Sequence, residues 1–75
     1  MPHIIVKLWP GKSEVQKKKL AEELVKTARS VIGYDEESFS IAIEEVNPED
    51  WAELVYRPDI IEKREILYKE PGYRM

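Results

Sequence analysis

Hydrophobic and polar residues alternate over residues 3–9. Ile4, Val6 and Leu8 fall on one face of an extended chain, and His3, Ile5, Lys7 and Trp9 on the other. The pattern predicts a strand whose Ile4, Val6 and Leu8 pack on a helix. Ile5 and Trp9 predict that the second face is covered too, by a further layer such as another subunit. Pro10-Gly11 closes the strand in a turn. Ser13 with Gln16 three residues on is a capping box, so a helix is expected from about Glu14 to Ile32. Ala21, Leu24, Val25, Ala28, Val31 and Ile32 form its apolar stripe at three- and four-residue spacing, and Lys17, Lys18, Glu22, Glu23, Lys26 and Arg29 solvate the rest. Gly33 is placed for a left-handed helix cap. After a polar connection from Tyr34 to Ser38, residues 39–46 predict a second strand, with Phe39, Ile41 and Ile43 on one face and Ser40, Ala42 and Glu44 on the other. Asn47-Pro48-Glu49-Asp50 reads as a second helix start with Asn47 as cap. Trp51, Leu54, Val55 and Tyr56 then lie on a short helix that Arg57-Pro58-Asp59 interrupts, and Ile60 to Tyr68 is expected as a final helix before Pro71-Gly72-Tyr73.

Strand, long helix and strand make a βαβ unit with parallel strands and a right-handed crossover. The fold class is therefore α/β, in one domain spanning residues 1–75. Two strands are too few to stand as a sheet. A dimer joining two such units gives four strands with helices on one face; the alternative is a monomer with a third strand near the C-terminus. At this length the core of a single chain is marginal without a staple. There is no cysteine to supply disulfides, which leaves self-association.

Charge and composition narrow the function. Twelve basic residues against 15 acidic, a net of −3, lack the basic excess of a nucleic-acid module. Lys17-Lys18-Lys19 is followed closely by Glu22 and Glu23 and reads as a solvated helix face. No apolar run approaches the roughly 20 residues of a membrane helix. One histidine and no cysteine argue against a structural zinc site. The lack of cysteine and of a signal peptide fits a cytoplasmic protein.

The candidate chemistry lies at the amino terminus. Proline follows the initiator methionine, a context in which the methionine is usually removed. Removal gives Pro2 a free secondary amine, a backbone nitrogen able to exchange a proton near neutral pH. A proline opening a strand costs no central ladder bond, and the strand ties it to a rigid element. His3 beside it reads either as a second acid or base or as a half-buried or interface histidine. Glu44 and Glu45 are adjacent, so they point to opposite faces and form no paired carboxylate site.

Pro2 opening a strand, Pro10-Gly11-Lys12-Ser13 leading into a helix with Gln16-Lys17, a second strand ending at Glu45-Val46, and Trp51 after it together resemble the 4-oxalocrotonate tautomerase family. The resemblance covers about residues 2–56. The tail, Lys69-Glu70-Pro71-Gly72-Tyr73, is similar to the longer, dimeric, PptA-like subgroup. It implies keto–enol tautomerisation of a small 2-hydroxydienoate or phenylenolpyruvate-like acid, with Pro2 as general base and no metal or organic cofactor. Lys12 stands where the family has an arginine, and keeps the charge without the planar fork; its other reading is an exposed turn lysine. Ser40 stands where a second arginine falls and supplies no charge, which weakens the expectation of a dicarboxylate substrate. Trp51 matches the family's aromatic pocket residue, or else packs the C-terminal helix. Ile5, Trp9 and Phe39 are further candidates for apolar walls, and Lys7 or Lys12 for a nearby cation. Hydration or dehalogenation on the same scaffold is an alternative, and a non-catalytic dimeric ligand-binding module is another.

Overall fold

The computed structural model describes residues 1–75. The chain forms two compact units, Met1–Glu45 and Val46–Met75. In the first, strand β1 (His3–Leu8), helix α1 (Glu14–Ile32) and strand β2 (Ser40–Glu45) make the expected βαβ arrangement. The strands are parallel, with His3 opposite Ser40, Ile5 opposite Ala42 and Lys7 opposite Glu44. That register also matches Ile4 to Ile41 and Val6 to Ile43, giving one apolar face of four branched side chains. Glu45 shares this face, and its carboxylate accepts from the Lys17 ammonium of α1 at 3.1 Å, so the helix lies on this side.

The ends of α1 follow from its sequence. The Ser13 hydroxyl accepts from the Gln16 N–H at 3.1 Å, and the Gln16 side chain accepts from the Ser13 N–H at 3.0 Å. Two of the amides that begin a helix without partners are thereby satisfied. At the other end Gly33, at φ 82, donates to the Arg29 carbonyl, a conformation that a side-chain-bearing residue adopts at a cost. The apolar stripe holds over its middle: Ala21, Leu24, Val25 and Ala28 are half-buried. It fails at its end, where Val31 and Ile32 are 75% and 54% exposed. Lys17, expected in solvent, is instead half-buried and bridges Glu14 at 2.7 Å and Glu45 at 3.1 Å. Lys17, Ala21, Leu24 and Ala28 stand four, three and four residues apart, so the lysine continues the buried stripe by one turn. Residues 36–38 form a single 3-10 turn, and Tyr34 and Phe39 pack edge to face across it, 6.4 Å apart.

In the second unit a 3-10 turn (Pro48–Asp50) leads into a π-helix (Ala52–Ile61) and a last 3-10 turn (Arg64–Ile66). Three expectations are corrected here. Asn47 caps nothing with its side chain; its backbone carbonyl takes the Asp50 N–H at 2.9 Å. Arg57-Pro58-Asp59 does not interrupt the helix, which runs through Pro58. In an α-helix the proline ring would collide with the carbonyl four residues back. The wider coil pairs each N–H with the carbonyl five back, as Glu62 does with Arg57 at 3.0 Å, so one absent bond is the main cost. Ile60 to Tyr68 is not a helix: Lys63 leaves the helical region at φ −118, ψ 28. Ile66 and Tyr68 are exposed, and a short helix with no packed face does not sustain itself. Val55, at 5% exposure, is the single buried hydrophobic residue. No helix is long and apolar enough to cross a membrane.

Candidate active site

Pro2 sits where the two strands begin. Its carbonyl accepts the Ser40 N–H at 3.2 Å. Proline has no N–H, so this end of the ladder closes through its carbonyl alone. The nitrogen is left outside the sheet's hydrogen bonding. Pro2 is half-buried, while Met1 before it is 99% exposed. With Met1 in place the Pro2 nitrogen is an amide; without it, the same atom is a secondary amine on the residue just before β1, whose carbonyl is bonded to the first residue of β2.

Ser40 is thus brought to Pro2, and His3 comes with it. The pairing register sets His3 directly opposite Ser40, and His3 Nδ1 and Ser40 Oγ are 2.6 Å apart. Further along the same face the Lys7 ammonium lies 4.0 Å from the Glu44 carboxylate. Ile5 is 52% exposed between these pairs, and Trp9, beyond the strand's end, is 54% exposed. This is the face that the alternation expects a second layer to cover.

Lys12 is not brought to Pro2 within one chain. It is exposed in the turn after β1, beyond a strand of six residues that is roughly 20 Å long. A lysine side chain cannot reach back over that length. Phe39 lies on the helix side, in a groove of about 680 Å³ shared with Ala21, Val25 and Ile41, and not on the His3–Ser40 face. In the second unit the Trp51 indole N–H donates to the Tyr73 hydroxyl at 3.0 Å. The Tyr73 ring packs on Tyr56 at 5.7 Å, and Tyr56 and Tyr73 line a cavity of about 500 Å³ with Ile61 and Arg64. From the sequence alone Tyr73 is only a marker of the tail. The signal for it was its place in Pro71-Gly72-Tyr73, a turn followed by a ring.

Two ion pairs set local electrostatics away from Pro2. The hydrogen bond and charge of Lys17 hold the Glu14 carboxyl below its ordinary value. Hydrogen bonds to Glu14 and then Glu45 hold the Lys17 ammonium above its own. Both groups act on the packing of α1 and not on the amino terminus.

A family model described as "Tautomerase enzyme" matches residues 2–53, from Pro2 through both strands to just past Trp51. A probable tautomerase of Xylella fastidiosa is 47% identical over 73 residues, spanning 97% of this chain and 89% of that protein. Tautomerase PptA of Pectobacterium atrosepticum is 42% identical over 74 residues, spanning 97% of each. Among solved structures, TomN, a 4-oxalocrotonate tautomerase homologue of the tomaymycin biosynthetic pathway, superposes with a TM-score of 0.65 at 34% identity, covering 67% of this chain and 77% of its own. YwhB, another 4-oxalocrotonate tautomerase homologue, superposes with a TM-score of 0.60 at 30% identity, over 61% of this chain and 75% of its own. The βαβ arrangement, the proline at its start, the family match over residues 2–53 and the relatives spanning 97% of the chain agree: the chain belongs to the tautomerase enzyme family.

Proposed function

We propose that, once Met1 is removed, the Pro2 amine is the general base of a cofactor-independent keto–enol tautomerase acting on a small 2-hydroxydienoate or phenylenolpyruvate-like acid. The observation that carries this reading is the 3.2 Å bond from the Ser40 N–H to the Pro2 carbonyl. It holds the nitrogen at a fixed place on a strand end, and a proton-transfer group needs such a position before its pKa matters.

For an enol acid the Pro2 nitrogen takes the hydroxyl proton. The oxygen's electron pair forms the carbonyl, and the former double-bond pair takes the proton back from the prolinium at carbon. The product is an isomer of the substrate, so nothing is oxidised or reduced. The enolate oxygen and the carboxylate need positive charge or donors. Ser40 supplies a hydroxyl beside Pro2, and Trp51 supplies an apolar wall. Lys12 supplies charge from a second copy of the chain, because its own Pro2 lies a strand's length away. A homodimer is therefore part of the reading. The exposed Ile5 and Trp9 give such a dimer an apolar surface to bury. The absence of cysteine suits a cytoplasmic setting.

The test is an intact mass of the protein from its own host, followed by phenylenolpyruvate ketonisation by wild type and Pro2→Ala. The expected result is a mass without methionine and a kcat that falls by about 10²- to 10⁴-fold in the variant. Retained methionine, or equal rates in both proteins, would overturn the amino-terminal base, and rates no faster than the uncatalysed reaction would leave a dimeric binding module in its place.

A further inference from the structure

We infer that His3 is a positioning residue that acts through Ser40, making the Ser40 hydroxyl a pH-gated donor to the substrate carboxylate. The inference rests on the Pro2 reading above. Three observations meet at one spot. His3 and Ser40 are register partners, their side chains are 2.6 Å apart, and the Ser40 amide is bonded to the Pro2 carbonyl. Both side chains are exposed, so the pair is open to a ligand that reaches Pro2.

The chemistry follows from counting protons. In a neutral ring protonated only on Nε2, Nδ1 is an acceptor. The Ser40 O–H is then spent on Nδ1, and Ser40 presents only lone pairs, which repel a carboxylate. A protonated ring carries N–H on both nitrogens. Nδ1–H must then donate into Ser40 Oγ, so the serine proton turns outward and is free for an anion. Ring protonation thus changes the hydroxyl from consumed donor to available donor and adds a positive charge beside it. Charge-assisted bonds are the stronger kind. The pair thereby supplies what an uncharged serine lacks alone. The other titratable groups of this face are Lys7 and Glu44, engaged with each other at 4.0 Å, the amino terminus itself, and the Lys12 that the reading above brings from a second copy; α1 packs on the opposite face.

Histidine is the side chain that changes charge between about pH 5 and 8. The base Pro2 must be neutral, so kcat/KM rises with pH on its acid limb. The His3–Ser40 pair must be protonated, so KM rises with pH on the alkaline limb. The product is a bell whose two limbs belong to different residues.

The experiment measures KM and kcat for phenylenolpyruvate over about pH 5 to 9 in wild type, His3→Ala, His3→Asn, Ser40→Ala and Pro2→Ala. It also measures the Kd of cinnamate, an unreactive carboxylate, in each. At low pH, His3→Ala and Ser40→Ala are each expected to raise KM and Kd about tenfold with little change in kcat. In His3→Asn the side-chain amide N–H stands in for Nδ1–H at every pH. It is expected to keep a low KM and to lose the pH dependence. A wild-type alkaline limb that persists in His3→Asn, or a His3→Ala enzyme with wild-type KM and Kd, overturns the inference while a collapsed Pro2→Ala leaves the base intact. Conversely, a Pro2→Ala that keeps the wild-type kcat overturns the base reading, and the cinnamate titration still decides the pair.

Discussion

Single residues carry the proposed chemistry, and the sequence offers each of them as a candidate. Pro2, Ser40, Lys12 and Trp51 were all visible as residue types at positions in a motif. What was not visible was who stands next to whom. Ser40 looked like a loss of charge until the register of two parallel strands, separated by the whole of α1, set His3 against it. Register between strands so far apart depends on packing and not on local pattern. Trp51 was read as a pocket wall or a packing residue. Its indole N–H is held by Tyr73 at 3.0 Å, which leaves only its ring for further contacts. In Tyr73→Phe that N–H loses its acceptor. We expect a loss of about 1 kcal/mol in stability by denaturant titration, with a red shift of tryptophan fluorescence as the indole loosens. An unchanged spectrum would mean that Tyr56 and the surrounding tail alone orient Trp51.

Elements were legible wherever their signals were local. The bounds of α1 at Ser13 and Gly33 came from a capping box and a left-handed glycine, both of which depend on a few consecutive residues. Ser13→Ala should destabilise the protein by about 1 kcal/mol in chemical denaturation. The sequence shows the first half of the Ala52–Ile61 helix but not its passage through Pro58, which reads as a breaker only under α geometry. Lys17 was misplaced because three consecutive lysines resemble a solvated face, although its spacing puts it on the buried stripe. Its ion pairs make a pH prediction. The lowered Glu14 carboxyl gives stability that is present above the ordinary glutamate range and lost as pH falls through its depressed value. The raised Lys17 ammonium gives stability that is present below the ordinary lysine range and lost as pH rises through its elevated value. Lys17→Met should therefore destabilise most near neutrality, and its melting temperature should converge on that of wild type at acidic pH. A constant difference across pH would assign Lys17 a packing role alone.

At the scale of the molecule, Met1–Glu45 contains no fully buried side chain, and its two-stranded sheet leaves Ile5 and Trp9 half in water. The sequence pointed to this shortage through its length and its two-sided alternation. A fold completed by a second copy is stabilised by mass action. Its melting temperature should rise with protein concentration, and Ile5→Asp should lower it and shift the species seen in sedimentation toward the monomer. A melting temperature independent of concentration in the micromolar range would count against the dimer. A different consequence follows from the residue that precedes Pro2. Met1 projects into solvent at 99% exposure, open to an aminopeptidase even after the strand has formed. On the Pro2 reading, a copy that keeps Met1 is a zymogen with that residue as its propeptide, and its activation is a single hydrolysis. Any amino-terminal tag or fusion would restore that propeptide permanently. A preparation labelled at this end would fold and still be silent.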